Sequence, residues 1–210
     1  MAGEIDIPAS FAAPGDVTGK RVVVTGASRG LGRIVASALS QGGARVALVA
    51  RTEADLKALA DDLPGPSLVL PGEVTDDEFN EEVADATVAA WGGVDGWICN
   101  AGISPVVAGP RGTDPSVWRQ ILDVNLTGGF LGARAAARVM GEGGRIIFTG
   151  SVIGERPREG LAAYSASKAG LVGLAKSLAL DLAAAGITVN VVAPGWFDSP
   201  LSEALYLSMR

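Results

Sequence analysis

From residue 20 onward the chain alternates short, β-branched apolar runs with longer segments of helical period, and that alternation leaves few folds open. The runs Arg21–Thr25, Arg45–Ala50, Ser67–Leu70, Val94–Cys99, Arg145–Thr149 and Ile187–Val192 read as strands. They are mostly apolar on both faces, which fits strands buried inside a parallel sheet. Between them the pattern predicts helices at about 30–41, 53–62, 76–91, 114–140 and 164–185, with a break near Gly128-Gly129. Gly42-Gly43, Gly92-Gly93, Gly141 and Gly186 stand where several of these should stop, because glycine accepts the left-handed backbone of a helix cap. Six β-α alternations with right-handed crossovers give an α/β fold, an open doubly wound parallel sheet with helices on both faces. Residues 1–18, broken by Pro8, Pro14 and Gly15, read as an N-terminal arm, and residues 19–210 as a single domain.

At 210 residues the chain is long enough for one domain with a substantial core. Its net charge of −6 offers no general attraction to nucleic acid or to an anionic membrane. No apolar run reaches bilayer length, and the N-terminus lacks the basic-then-apolar order of a signal peptide. A soluble, cytoplasmic protein is expected. Cys99 is the one cysteine and histidine is absent, so neither an internal disulfide nor a metal site is expected.

Without histidine, a proton at neutral pH must be handled by another side chain. Tyr164-Ser165-Ala166-Ser167-Lys168 lies in a predicted helix, where positions i and i+4 share a face. A cation beside a phenol favours phenolate, so Lys168 is expected to lower the Tyr164 pKa toward the range useful for general acid–base work. On spacing alone, a surface pair on an amphipathic helix accounts for the motif better, and the rest of the chain has to decide. Thr25-Gly26-Ala27-Ser28-Arg29-Gly30-Leu31-Gly32 falls where the first strand gives way to the first helix. Glycines there permit a tight turn and let backbone N–H groups and the helix N-terminus approach a pyrophosphate. A glycine-rich turn with no ligand is the alternative, and the position at the first βα junction argues against it.

With further motifs in order, the chain resembles the short-chain dehydrogenase/reductase family. Asn100-Ala101-Gly102 follows the fourth strand, where the family carries Asn-Asn-Ala-Gly and this chain has Cys99 in the first place. Asn125 stands in Asp123-Val124-Asn125-Leu126; Ser151 follows the fifth strand; Pro194-Gly195 follows the sixth. The resemblance covers roughly residues 18–201 and implies a Rossmann-like domain that interconverts a carbonyl and an alcohol by hydride transfer. By that resemblance Tyr164 is the general acid/base, and Lys168 lowers its pKa and bonds the nicotinamide ribose. Ser151 holds the substrate oxygen, and Asn125 supports a water joining Lys168 to solvent. The alternative for Asn125, read from the residues alone, is a helix-interior polar residue bonding locally. Asn100 reads as a brace between strand and loop, and Cys99 as a small buried apolar residue. Trp196 and Phe197 divide evenly between a pocket wall and ordinary core.

The second strand ends Val49-Ala50-Arg51-Thr52, with no acidic residue for the ribose 2′-hydroxyl of NAD. Arg51 and Arg29 are suited to a phosphate through their forked donors, so NADP(H) is expected in preference to NAD(H). The resemblance places Glu73 and Val74 near the adenine, and Ser199 is its nearest match to a threonine beside the nicotinamide amide. The family normally continues through a substrate-covering helix and a seventh strand, which a chain ending at Arg210 is expected to lack. The alternative reading is therefore a nucleotide-binding protein with little turnover. The expected partners are a small carbonyl or alcohol and a second copy docked through helices 114–140 and 164–185, with no nucleic acid or membrane.

Overall fold

The computed structural model describes residues 16–104 and 107–196. Its six strands are β1 (Arg21–Thr25), β2 (Arg45–Ala50), β3 (Ser67–Pro71), β4 (Gly96–Cys99), β5 (Arg145–Thr149) and β6 (Thr188–Val192). They form one sheet in the order β3-β2-β1-β4-β5-β6, every neighbouring pair parallel. The helices are α1 (Gly30–Gln41), α2 (Glu53–Asp62), α3 (Asp77–Trp91), α4 (Pro115–Leu122), α5 (Gly128–Val139), α6 (Val152–Glu155) and α7 (Ala162–Leu182). Winding reverses between β1 and β4, and such a switch point opens a crevice at the carboxyl ends of the strands. The N-terminal arm lies almost wholly outside the described residues.

Successive side chains on a strand point to opposite faces, and here both faces are dry. Val22, Val24, Val46 and Leu48 pack with Ala36, Leu56 and Leu59 of α1 and α2. Val23, Ala47, Trp97 and Phe148 pack with Val83, Ala133 and Leu171 of α3, α5 and α7. This double burial is why the strands read as continuous apolar runs. The sixth strand departs from that expectation. Thr188, Asn190 and Val192 are exposed, and among the described residues α1 and α2 cover the second face only over the β1–β3 side.

The predicted helix at 114–140 is α4 and α5 joined by a π-helical turn, Asp123–Thr127. The irregularity thus lies just before Gly128-Gly129, which themselves sit in regular helix for another reason. A Cβ at Gly128 would come 2.9 Å from Val74 Cγ2, and one at Gly129 would come 3.2 Å from Leu171 Cδ2. Small residues let α5 lie close to its neighbours. Gly92 and Gly186 cap as expected, with φ of 81° and 69°. Gly141 does not, because α5 already stops at Met140 in extended backbone. The short α6 was not predicted.

Candidate active site

The loops beyond the carboxyl ends of the strands enclose a cleft of about 1180 Å³. That exceeds the ~300–1,000 Å³ usual for one small ligand. Its floor is the turn between β1 and α1. Gly26 has φ +68°, and a Cβ there would lie 2.9 Å from Ala101 Cα. A Cβ on Gly32 would lie 2.1 Å from the Gly26 carbonyl oxygen. The two glycines therefore let the loop, α1 and the strand beside them come together in backbone contact. Gly26, Ser28, Arg29, Gly30 and Leu31 line the cleft, whereas Thr25 and Gly32 shape it from beneath.

Thr25 is a brace and not a lining residue. Its Oγ1 accepts from the N–H groups of Asn100 (2.9 Å) and Ala101 (3.1 Å) and donates to the Ile98 carbonyl (3.3 Å). Asn100 Nδ2 donates to the Thr25 carbonyl at 3.0 Å, and its Oδ1 accepts from Thr149 Oγ1 at 3.3 Å. One asparagine thus stitches β1, β4 and β5, as a brace should, while also lining the cleft with Ala101 and Gly102. Arg51, Glu73 and Val74 line it beyond β2 and β3. Asp55, in the first turn of α2, lines it as well, and the sequence reading did not weigh it.

Ser151, Tyr164 and Lys168 come together beyond β5. Ser151 enters α6, its Oγ accepting from the Ile153 N–H at 3.2 Å, and its hydroxyl is near enough to the Tyr164 phenol to pull that pKa down. Tyr164 is buried among Ile153, Leu161, Val107, Val152 and Trp196. Lys168 is 4% exposed, and its Nζ donates to the Thr149 carbonyl at 2.6 Å and lies 5.6 Å from the Tyr164 ring centroid. Burial pulls the lysine down from 10.5 to about 8, which leaves it mostly protonated at neutral pH. Burial also raises Tyr164 above its ordinary 10, and the Ser151 hydroxyl only partly opposes this. The expected lowering of the phenol pKa is therefore reversed. A group taken out of water favours its neutral form, and here that outweighs the cation held against the Thr149 carbonyl.

Asn125 lies in the π turn, and π turns are frequent at functional sites. It does not line the cleft. Its Oδ1 accepts from the Ile103 N–H at 2.7 Å, and its Nδ2 donates to the Ile103 carbonyl at 3.0 Å and to Ser167 Oγ at 3.1 Å. The local-bonding alternative fails, since both partners are remote in sequence. Cys99 is buried, and burial pushes its thiol pKa up, as suits an inert apolar residue. Pro194, Gly195 and Trp196 line the wall beyond β6, with the Arg158 guanidinium 5.6 Å from the Trp196 ring centroid. Phe197 and Ser199 lie outside the described residues. Sequence reasoning missed Thr149, Ile103 and Ser167; the first two act through backbone groups, which no side-chain motif reveals.

The short chain dehydrogenase family model matches residues 20–209. The 3-oxoacyl-[acyl-carrier-protein] reductase FabG of Escherichia coli (strain K12) is 42% identical over 189 residues, covering 89% of this chain and 77% of that protein. A short chain dehydrogenase from Burkholderia cenocepacia J2315, solved in complex with NADP, superposes with a TM-score of 0.80 at 34% identity, covering 89% of this chain and 78% of that one. The 3-ketoacyl-(acyl-carrier-protein) reductase from Brucella melitensis complexed with NADH gives a TM-score of 0.86 at 28% identity, covering 90% and 80%. Fold, cleft and sequence agree: the chain belongs to the short-chain dehydrogenase/reductase family, oxidoreductases that act on CH–OH and C=O groups.

Proposed function

We propose that this protein is an NADP(H)-dependent reductase that converts a carbonyl to an alcohol, with Tyr164 as the proton donor. The observation that carries this reading is a single cleft lined both by Arg29 and Arg51 and by Ser151, Tyr164 and Lys168. Arg51 follows β2 and Ser151 follows β5, three strand spacings apart in the sheet, or about 14 Å. A dinucleotide fits such a span. Gly26, Ser28, Gly30 and Leu31 would take the pyrophosphate, and Arg29 and Arg51 the 2′-phosphate. Glu73 and Val74 would meet the adenine, and Asn100-Ala101-Gly102, Lys168 and Pro194-Gly195 the nicotinamide end. When bound, the nucleotide supplies the hydride. Relatives bind NADP in one case and NADH in another, so the preference rests on Arg51 and on the missing acid after β2.

Ser151 holds the substrate oxygen against the phenol. A phenol held neutral by burial is suited to donate a proton to that oxygen. Lys168 stays charged at neutral pH and stabilises the phenolate that donation leaves. A Cβ built on Gly102 would lie 3.4 Å from Asn125 Oδ1 and 3.5 Å from Lys168 Nζ. Both atoms therefore border the same side of Gly102, and Asn125 Oδ1 would hold a water that links Lys168 to solvent. Exposed Trp118, Phe130 and Leu180 on α4, α5 and α7 support a second copy docked on these helices.

The test is a titration with NADPH and NADH, then a carbonyl panel beginning with 3-oxoacyl thioesters. Tyr164→Phe should bind NADPH normally and lose ~10²–10⁴-fold in reduction. Near-normal rates in that variant would refute the mechanism, and tight binding with no turnover on any carbonyl would favour a nucleotide-binding role.

A further inference from the structure

Behind Tyr164 and Lys168 lies a hydroxyl that the chemistry above does not use. Ser167 is fully buried. Its Oγ donates to the Tyr164 carbonyl oxygen at 2.7 Å and accepts from Asn125 Nδ2 at 3.1 Å. A serine hydroxyl has one proton, so once that proton goes to Tyr164, only an acceptor faces Asn125. The atom opposite must then be the amide nitrogen. Ile103 imposes the same polarity from the other side, giving its N–H to Oδ1 and taking a proton from Nδ2 at its carbonyl. Both N–H groups of Nδ2 are thereby used. One lone pair of Oδ1 is left over, and that oxygen borders the space above Gly102 that Lys168 Nζ also borders.

We propose that Ser167 is a positioning residue, locking the Asn125 amide so that Oδ1 faces the space shared with Lys168 and coupling that lock to the helical turn bearing Tyr164. The directed run Asn125 N–H to Ser167 O–H to Tyr164 C=O joins the π turn to the first turns of α7, and the Ile103 bonds tie in the loop after β4. Without the hydroxyl, one Asn125 N–H is buried with no acceptor, and the amide keeps only its grip on Ile103. The catalytic consequence rests on the reductase reading; the lock itself does not.

Ser167→Ala removes the hydroxyl and adds no volume. The chain has four asparagines and two glutamines, so the side-chain amide signals are few enough to assign by NMR. In the unmutated protein both Asn125 amide protons should exchange slowly with deuterium. In Ser167→Ala exchange should quicken about tenfold, as loss of one buried hydrogen bond allows. In turnover, kcat should fall by about the same factor, with the pH–rate profile displaced and NADPH affinity unchanged. Ser167→Cys, with its weak S–H donor, should fall between, and it carries the same readouts if the alanine variant does not fold. Unchanged Asn125 exchange, or a kcat loss matched by loss of NADPH affinity, would overturn the proposal. Should the unmutated chain reduce no carbonyl, the reductase reading fails and the exchange measurement alone decides the role of Ser167.

Discussion

Replacing Lys168 with methionine tests whether the active site is held together against its own stability. The ammonium is almost wholly buried with one described hydrogen bond, to the Thr149 carbonyl at 2.6 Å. Lowering a lysine from 10.5 to about 8 corresponds to roughly 3 kcal/mol of destabilisation at neutral pH, at ~1.4 kcal/mol per pH unit. Methionine of similar length removes that cost but strips the Thr149 carbonyl of its donor, which costs about 1–3 kcal/mol. The two nearly offset at pH 7, so the pH dependence decides. Between about 8 and 10.5 the unfolded chain holds the lysine proton and the folded chain has released it. The unfolded state then binds more protons, and stability rises with pH across that window. Lys168→Met lacks this gain, so the gap between the two chains should move by as much as ~3 kcal/mol toward the unmutated protein, most of it by pH 10. Tyr164, held above 10, titrates in the opposite sense but is common to both chains. Urea unfolding of both proteins from pH 7 to 10 measures the gap, and parallel profiles would refute the burial argument.

Arg51→Asp should weaken NADPH binding about tenfold to a hundredfold, the cost of a lost charge-assisted hydrogen bond, and should shift the preference toward NADH. Equal affinity for both nucleotides in the unmutated chain would already remove Arg51 from the assignment and direct attention to Asp55. Gly32→Ala drives a Cβ to within 2.1 Å of the Gly26 carbonyl oxygen, a backbone atom that cannot step aside alone. Nucleotide affinity should drop sharply and stability by ~1–3 kcal/mol, measured by titration and thermal unfolding. Gly173→Ala, with no atom within 4 Å of the added Cβ, should be neutral or slightly stabilising and serves as the control.

The strands were legible because burial on both faces leaves nothing but apolar residues to read. β1, β2 and β5 match their predicted bounds end to end. β4 begins two residues late, at Gly96, and just before it the Asp95 carboxylate holds Arg21, accepting from its backbone N–H at 2.8 Å and its guanidinium at 2.7 Å. β6 broke the pattern where its outward residues face solvent. The π turn was not legible: Asp-Val-Asn-Leu-Thr is ordinary helix composition, and the hold that Asn125 has on Ile103 reaches back 22 positions. The sequence pattern paired Tyr164 with Lys168 correctly but carried no information on their burial, so the sign of the phenol shift came out reversed. Ser167 lay in the motif itself, yet no helical spacing says which atoms a serine will join.

The β1–β4 ladder has a mechanical meaning. It pairs only Val22 to Val24 with Gly96 to Ile98, the shortest ladder in the sheet, and it divides two lengths of chain that are each contiguous in sequence. A sheet built this way has a natural line of weakness. Ties close both ends of the line, Arg21 to Asp95 at one and Thr25 to Asn100 and Ala101 at the other. The cleft runs across it, with Arg51 on one bank and Tyr164 on the other. The ties therefore act as a ruler: they hold constant the distance over which a ligand must stretch, and they make local loosening of either bank a whole-domain event.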